Sequence, residues 1–220
     1  MSLKEKLDAL REQYEGSIFP PEVTALMHRA TADLAASGQV ERALKAGDIA
    51  PSFALPDANG AMVSSANLLA KGPLVLTFYR GVWCPYCNLD LKAIEEIAPQ
   101  VRVLGASLAA VSQQTAPNSR KSQKDNNLSF QILSDEGGAV ADAFGIRFRL
   151  PDDLITLYEG FKVDLPTING EPSWTLPMPA RYVIGQDGVI AYAEVNPDYT
   201  RRPEPSELLP TLERLLKQTA

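Results

Sequence analysis

The sequence predicts an α/β domain, a central sheet covered by helices on both faces, preceded by a helical arm. Three observations carry that reading. The continuous apolar run Leu74-Val75-Leu76-Thr77-Phe78-Tyr79 suits a central strand buried on both faces. Helical periodicity follows over Leu89–Ile97, with Leu91, Ile94 and Ile97 at compatible spacing, and Val101–Val111 supplies the next strand. Near the C-terminus, Tyr182-Val183-Ile184, the turn Gly185-Gln186-Asp187-Gly188 and Val189–Val195 form a hairpin. A closing helix over Ser206–Lys217 tolerates Pro210 only in its first turn.

The other elements follow from local chemistry. Residues 2–16 open on Ser2-x-x-Glu5, a capping-box pattern, with Leu3, Leu7 and Leu10 on one helical face and Gly16 able to end the helix. Pro20-Pro21 starts a second helix through Ala36, with Val23, Leu26, Met27 and Leu34 on a shared stripe and Gly38 as a stop. A short segment over Val40–Ala46 completes the arm, so the expected division is an arm over residues 1–46 and a main domain over 47–220. The arm is expected to pack on the main domain or on a partner subunit. Asp57-Ala58-Asn59-Gly60 resembles a hairpin loop, and Ser64-Ser65 caps a short helix through Leu69 that Gly72-Pro73 ends. Thr115–Asn126 reads as a polar, exposed helix, Phe130–Leu133 as a strand and Gly138–Phe144 as a helix. In residues 145–176, Pro151, Pro166 and Pro172 interrupt any long element, and Trp174 suggests an apolar contact.

Composition narrows the function. The chain has 220 residues, 45% of them apolar and 22% charged, as in an ordinary folded protein. Lys and Arg number 21 against 27 Asp and Glu, a net charge of −6 that disfavours nucleic acid and anionic membrane surfaces. No apolar run approaches bilayer-spanning length, and the N-terminus runs directly into Lys4-Glu5-Lys6, so a cytoplasmic location is the expectation.

The two cysteines, Cys84 and Cys87, are the most informative residues. Scattered at random, two cysteines would fall three positions apart in roughly one chain in a hundred. A bridge across two residues closes almost no loop entropy, so a structural disulfide is excluded. Structural zinc wants four ligands, and the only histidine, His28, lies far away in the arm, where it reads as a surface residue. No metal and no cofactor is expected. What remains is a dithiol that opens and closes. In Phe78-Tyr79-Arg80-Gly81-Val82-Trp83-Cys84-Pro85-Tyr86-Cys87 a buried strand ends, a loop follows, and the pair sits where a helix begins. Unpaired N–H groups there stabilise a thiolate, the attacking species. Pro85 suits the first helical turn, and the spacing brings both sulfurs onto one face. Trp83 and Tyr86 stand beside the sulfurs, where they would shape access.

Trp83-Cys84-Pro85-Tyr86-Cys87 resembles the active site of the thioredoxin-fold suprafamily. The wider pattern runs from Ala50-Pro51-x-Phe53 through Phe78-Tyr79-Arg80 to Tyr182–Gly188 and covers about residues 47–217. It is similar to the alkyl hydroperoxide reductase/thiol-specific antioxidant group, in its peroxiredoxin-like branch with a Cys-x-x-Cys. The resemblance implies a thioredoxin-like fold, a central mixed sheet flanked by helices, and reduction of hydroperoxides with an external thiol system such as thioredoxin or glutathione. It also implies a homodimer. Aligned on peroxiredoxins, the peroxidatic cysteine falls on Cys87, with Asp90 at a frequently acidic position. The family's threonine position is Cys84, its proline position Arg80, and its arginine falls near Pro179, two residues before Arg181. On that alignment Cys87 attacks and Cys84 resolves. Aligned on thioredoxins, Cys84 attacks and Cys87 resolves, Met178-Pro179 matches a pair carrying a cis-proline, and Phe78 occupies the place of a buried acid. Arg80, Arg181, Arg201 and Arg202 are the candidate cations beside the thiolate. Two alternatives stand beside the peroxidase: a protein disulfide oxidoreductase, and a redox-switched interaction module without turnover.

Overall fold

A computed structural model describes residues 1–219 of the chain. Its centre is a five-stranded mixed sheet in the spatial order β5 (Gln131–Ser134), β4 (Ser107–Ser112), β3 (Leu74–Phe78), β8 (Ala180–Ile184) and β9 (Ile190–Val195). Strands β3, β4 and β5 run parallel, while β8 and β9 add an antiparallel hairpin beside β3. Every residue of β3 and β8 is buried, Thr77 and Arg181 included, as central strands covered on both faces are. Leu74, Leu76 and Phe78 face one side with Val111, Leu133 and Tyr182. Val75 and Val183 face the other, where Val101 of helix α5 (Pro85–Val103), Leu208 of the turn before the closing helix and Leu212 of that helix, α10 (Leu209–Thr219), cover them. Each fully buried leucine here contributes about 2 kcal/mol.

The edges of the domain follow the local signals. A hairpin of β1 (Ala54–Pro56) and β2 (Met62–Ser64) flanks the Asp57–Gly60 turn, and Ser64 caps α4 (Ser65–Leu69). A single 3-10 turn, Pro205–Leu208, leads into α10, with Pro210 in the first turn of that helix. Helix α7 spans Ala139–Ala143.

The arm has the expected capping box at the start of α1 (Leu3–Gln13), with Ser2 and Glu5 bonded reciprocally. Leu3 and Leu7 are buried with Leu91 and Ile94 of α5, so the arm packs on its own main domain. Gly16 does not end the helix: Tyr14–Ile18 continue it as a π-helical turn closed by Phe19 N–H on Tyr14 C=O at 2.7 Å. Helix α2 (Pro21–Ala36) and the short α3 (Gln39–Arg42) follow. Arg29 of α2 pairs with Asp153 at 2.6 Å.

Two further expectations are corrected. Helix α5 is longer than read, because Val101 continues the apolar stripe of Ile94 and Ala98, and β4 starts only at Ser107 after Gly105 (φ +72). Helix α6 (Ala116–Asp125) is not an exposed helix throughout: Ser119 and Ser122 are wholly buried, and Ser119 Oγ meets Ser134 Oγ at 2.9 Å. Residues 145–176 are well structured. Strands β6 (Arg147–Arg149) and β7 (Thr175–Pro177) pair antiparallel around helices α8 (Asp152–Gly160) and α9 (Leu165–Asn169). Pro151 caps α8, Pro166 sits in the first turn of α9, and Trp174 packs on the cluster of Leu150, Leu154 and Tyr158.

Among the described residues, no helix is long and apolar enough to cross a membrane.

Candidate active site

The loop leaving β3 carries the thiols, and side chains brace it. The Gln114 side-chain carbonyl accepts from Val82 N–H at 2.9 Å, and its amide donates to Tyr79 Oη at 2.7 Å and Ser122 Oγ at 3.1 Å. The Asn88 amide donates to Val82 C=O at 2.9 Å. Gly81 has φ +146, and a Cβ there would stand 2.6 Å from Trp83 Nε1, so only glycine fits under the indole. Cys84 is the N-cap of α5, Pro85 its first residue, and Cys84 C=O accepts the helical bond from Asn88 N–H at 3.1 Å. Both sulfurs therefore lie in the positive field of a 19-residue helix.

Neither thiol is open on the surface; Cys84 is 1% exposed and Cys87 is 0%. Cys84 lines a cavity of about 220 Å³, walled by Tyr14, Phe19 and Met27 of the arm and by Tyr158 and Phe161 of α8 and its C-cap. Cys87 is not part of its wall. Burial alone would raise the Cys84 pKa, yet the hydrogen bond from the Cys87 thiol and the Arg80 and Arg202 cations outweigh it and lower the pKa to about 6. Burial, that same hydrogen bond and the Cys84 charge push Cys87 well above the usual thiol value. Thiolate character is concentrated on the cavity-lining sulfur.

The four candidate arginines separate. Arg202 Nη2 lies 3.7 Å from Cys87 Sγ, and its Nε lies 3.4 Å from Asp90. Arg80 is 3% exposed, its guanidinium 4.2 Å from the Tyr199 ring centroid and 4.9 Å from that of Trp83, and it donates to Tyr158 Oη. Among the described residues it has no carboxylate partner. Arg181 donates to Asp90 at 2.5 Å and to Pro203 C=O at 3.3 Å, so its charge reaches the thiols only through Asp90. Arg201 is a correction: 68% of its side chain is exposed and it pairs with Asp198 at 2.9 Å, outside the site. Its neighbour Arg202 turns inward instead.

The cis-proline expectation is also corrected, since no peptide bond among the described residues is cis. Met178 N–H bonds Ile146 C=O and Pro179 C=O accepts from Asn196 N–H, which holds the pair in extended trans backbone. Trp83 packs edge-on to Tyr158, and Tyr86, 6% exposed, packs edge-on to Tyr199. His28 is exposed, 2.8 Å from Glu15. No cluster of three His, Cys, Asp or Glu among the described residues could hold a metal ion. Sequence reasoning missed Gln114, Tyr14, Phe19, Tyr158 and Tyr199. Only Tyr199 carried a signal, its closeness to the Arg201-Arg202 pair; the others look like ordinary packing residues along the chain.

A dithiol opening the helix that follows the central strand of this mixed sheet defines a thiol redox protein of the thioredoxin-like fold. The AhpC/TSA family matches residues 46–193, and the chain belongs to that family. It is accordingly a thiol-dependent peroxidase. Peroxiredoxin Q, chloroplastic, of Triticum aestivum is 27% identical over 179 residues, 81% of this chain and 72% of that one. Peroxiredoxin Bcp of Escherichia coli K12 is 30% identical over 103 residues, 47% of this chain and 65% of its own. The structure of peroxidoxin BcpB from Mycobacterium tuberculosis shares the fold with a TM-score of 0.62 at 21% identity, covering 80% of this chain and 99% of that one.

Proposed function

We propose that the chain reduces hydroperoxides through a Cys84–Cys87 dithiol–disulfide cycle in which Cys84 attacks first. One observation carries the order of attack: only Cys84 combines a place on the cavity wall with a pKa held near 6. Its thiolate attacks the distal peroxide oxygen, the O–O bond breaks, and the leaving alkoxide or hydroxide takes up a proton. Arg80, on the same wall, offsets the negative charge that moves onto the oxygens. The product is a Cys84 sulfenic acid. Cys87, already hydrogen-bonded to that sulfur, attacks it and expels water, leaving the disulfide. Arg202, 3.7 Å from Cys87 Sγ, supports loss of the Cys87 proton in that step. An external thiol system of the thioredoxin or glutathione kind then returns two electrons. The 1% exposure of Cys84 favours small peroxides over protein disulfides as oxidants.

The test is oxidation of the reduced protein by stoichiometric hydroperoxide, followed by mass spectrometry. Wild type should gain one internal disulfide, Cys87→Ser should stop at one sulfenic acid, and Cys84→Ser should consume none. The opposite pattern of the two variants would assign the attack to Cys87. Oxidation of wild type by protein disulfides but not by peroxide would sink the peroxidase cycle itself.

A further inference from the structure

We infer that a second cavity, next to the thiol cavity, binds an organic carboxylate with an apolar tail. It has a volume of about 500 Å³, within the range of small-molecule sites, and shares Met27, Arg80, Tyr158 and Tyr199 with the thiol cavity. Its apolar wall comes from Met27 and Leu34 of α2 and from Phe148 and Leu154. Its charged groups are Arg42, Arg80, Arg147 and Arg149 against the single carboxylate of Asp33. The whole chain has 27 acidic and 21 basic residues, so the balance here is the reverse of the average.

Arg42 and Arg147 are held by neutral acceptors. Arg42 donates to Ser37 C=O at 3.3 Å and to Gln39 Oε1 at 3.0 Å, and Arg147 donates to Thr175 Oγ1 at 3.1 Å and Ser173 Oγ at 3.3 Å. All four acceptors are uncharged. Arg80 is 3% exposed, and its Nε has no hydrogen-bond partner. Among the described residues, Arg42, Arg80 and Arg147 form no salt bridge, while Arg149 pairs with the exposed Asp152 at 2.8 Å. Neutral acceptors fix the guanidinium planes and leave the charge for an anion, and a carboxylate matches the fork of an arginine. A free inorganic anion would leave the apolar wall wet, whereas an alkyl tail covers it. Met27, Asp33, Leu34 and Arg42 belong to the arm and lie outside residues 46–193, so one wall of this site comes from the part of the chain that the family match leaves out. It shares Arg80 with the thiol site, so the variant that tests it leaves Arg80 in place.

Calorimetric titration of the full chain with decanoate, below the concentration at which that acid self-associates, tests the proposal. Decan-1-ol and decylamine, of the same length, report the contribution of charge. Decanoate should bind saturably at one site, decan-1-ol at least tenfold more weakly, and decylamine not at all. Arg42→Gln removes an exposed side chain with no part in the core, and should weaken decanoate at least fivefold without changing the melting temperature. No saturable heat with decanoate, equal binding of decan-1-ol, or unchanged affinity in Arg42→Gln would each overturn the site.

Discussion

The reactivity of Cys84 is a balance between desolvation of its sulfur and the Cys87 hydrogen bond aided by two nearby guanidinium groups. Removing a cation therefore has a direction fixed by charge. For the wild type, the rate of Cys84 alkylation by iodoacetamide should rise with pH through a midpoint near 6 and level off above it, because the thiolate is the nucleophile. Arg80→Gln should move that midpoint upward by about one unit, equivalent to about 1.4 kcal/mol, and Arg202→Gln should move it in the same direction. A midpoint that stays near 6 in both variants would mean the Cys87 hydrogen bond alone sets the Cys84 pKa. Asp90 is the complementary residue. Its side chain is 3% exposed and faces both Arg181 and Arg202, so Asp90→Asn leaves two buried cations short of one counter-charge. A loss of about 3 kcal/mol in urea unfolding is expected.

At the scale of elements, the site depends on how the loop after β3 enters α5. Gly81 is the tightest point, with positive φ and the Trp83 ring where a Cβ would go. Gly81→Ala should cost more than about 1 kcal/mol and should slow Cys84 alkylation, since relieving the clash displaces Trp83 from the cavity wall. The same elements show what could be read along the chain. The capping box at Ser2, the buried run of β3, the Asp57–Gly60 turn and the β8–β9 hairpin each follow from a local rule, and the structure has all of them. The start of β4 is not fixed by local pattern, because Val101 satisfies a helical stripe and an apolar strand run equally well. Residues 145–176 resisted reading because their short helices begin at or beside the prolines and owe their packing to distant partners. The thiol pair and Arg202 could be found from spacing and resemblance, and the alignment's order of attack could not be tested without knowing which sulfur meets the cavity. The cavity's aromatic wall depends on contacts between segments far apart in the chain, such as Phe19 with Phe161 and Trp83 with Tyr158, for which no local signal exists.

For the whole molecule, the arm and the 145–176 segment meet over the cysteines. Phe19 stacks on Phe161 with ring centroids 5.2 Å apart and planes 11° from parallel, and both rings line the thiol cavity. Phe161 is 41% exposed, which places this contact at the rim rather than in the core. An aromatic pair of this kind contributes about 1 kcal/mol, small enough to open on the timescale of catalysis yet sufficient to filter what reaches Cys84. The two rings belong to separate parts of the chain, so truncating either one opens the same gap. Phe19→Ala and Phe161→Ala should each raise the rate of Cys84 labelling by a bulky maleimide about fivefold, measured at pH 8 where the thiolate is fully formed in all variants. The smaller iodoacetamide should gain less, because it already passes the rim. The double variant should gain little beyond either single change if the stacked pair is one gate. Multiplicative gains would instead mean that Phe19 and Phe161 obstruct two different routes to the sulfur.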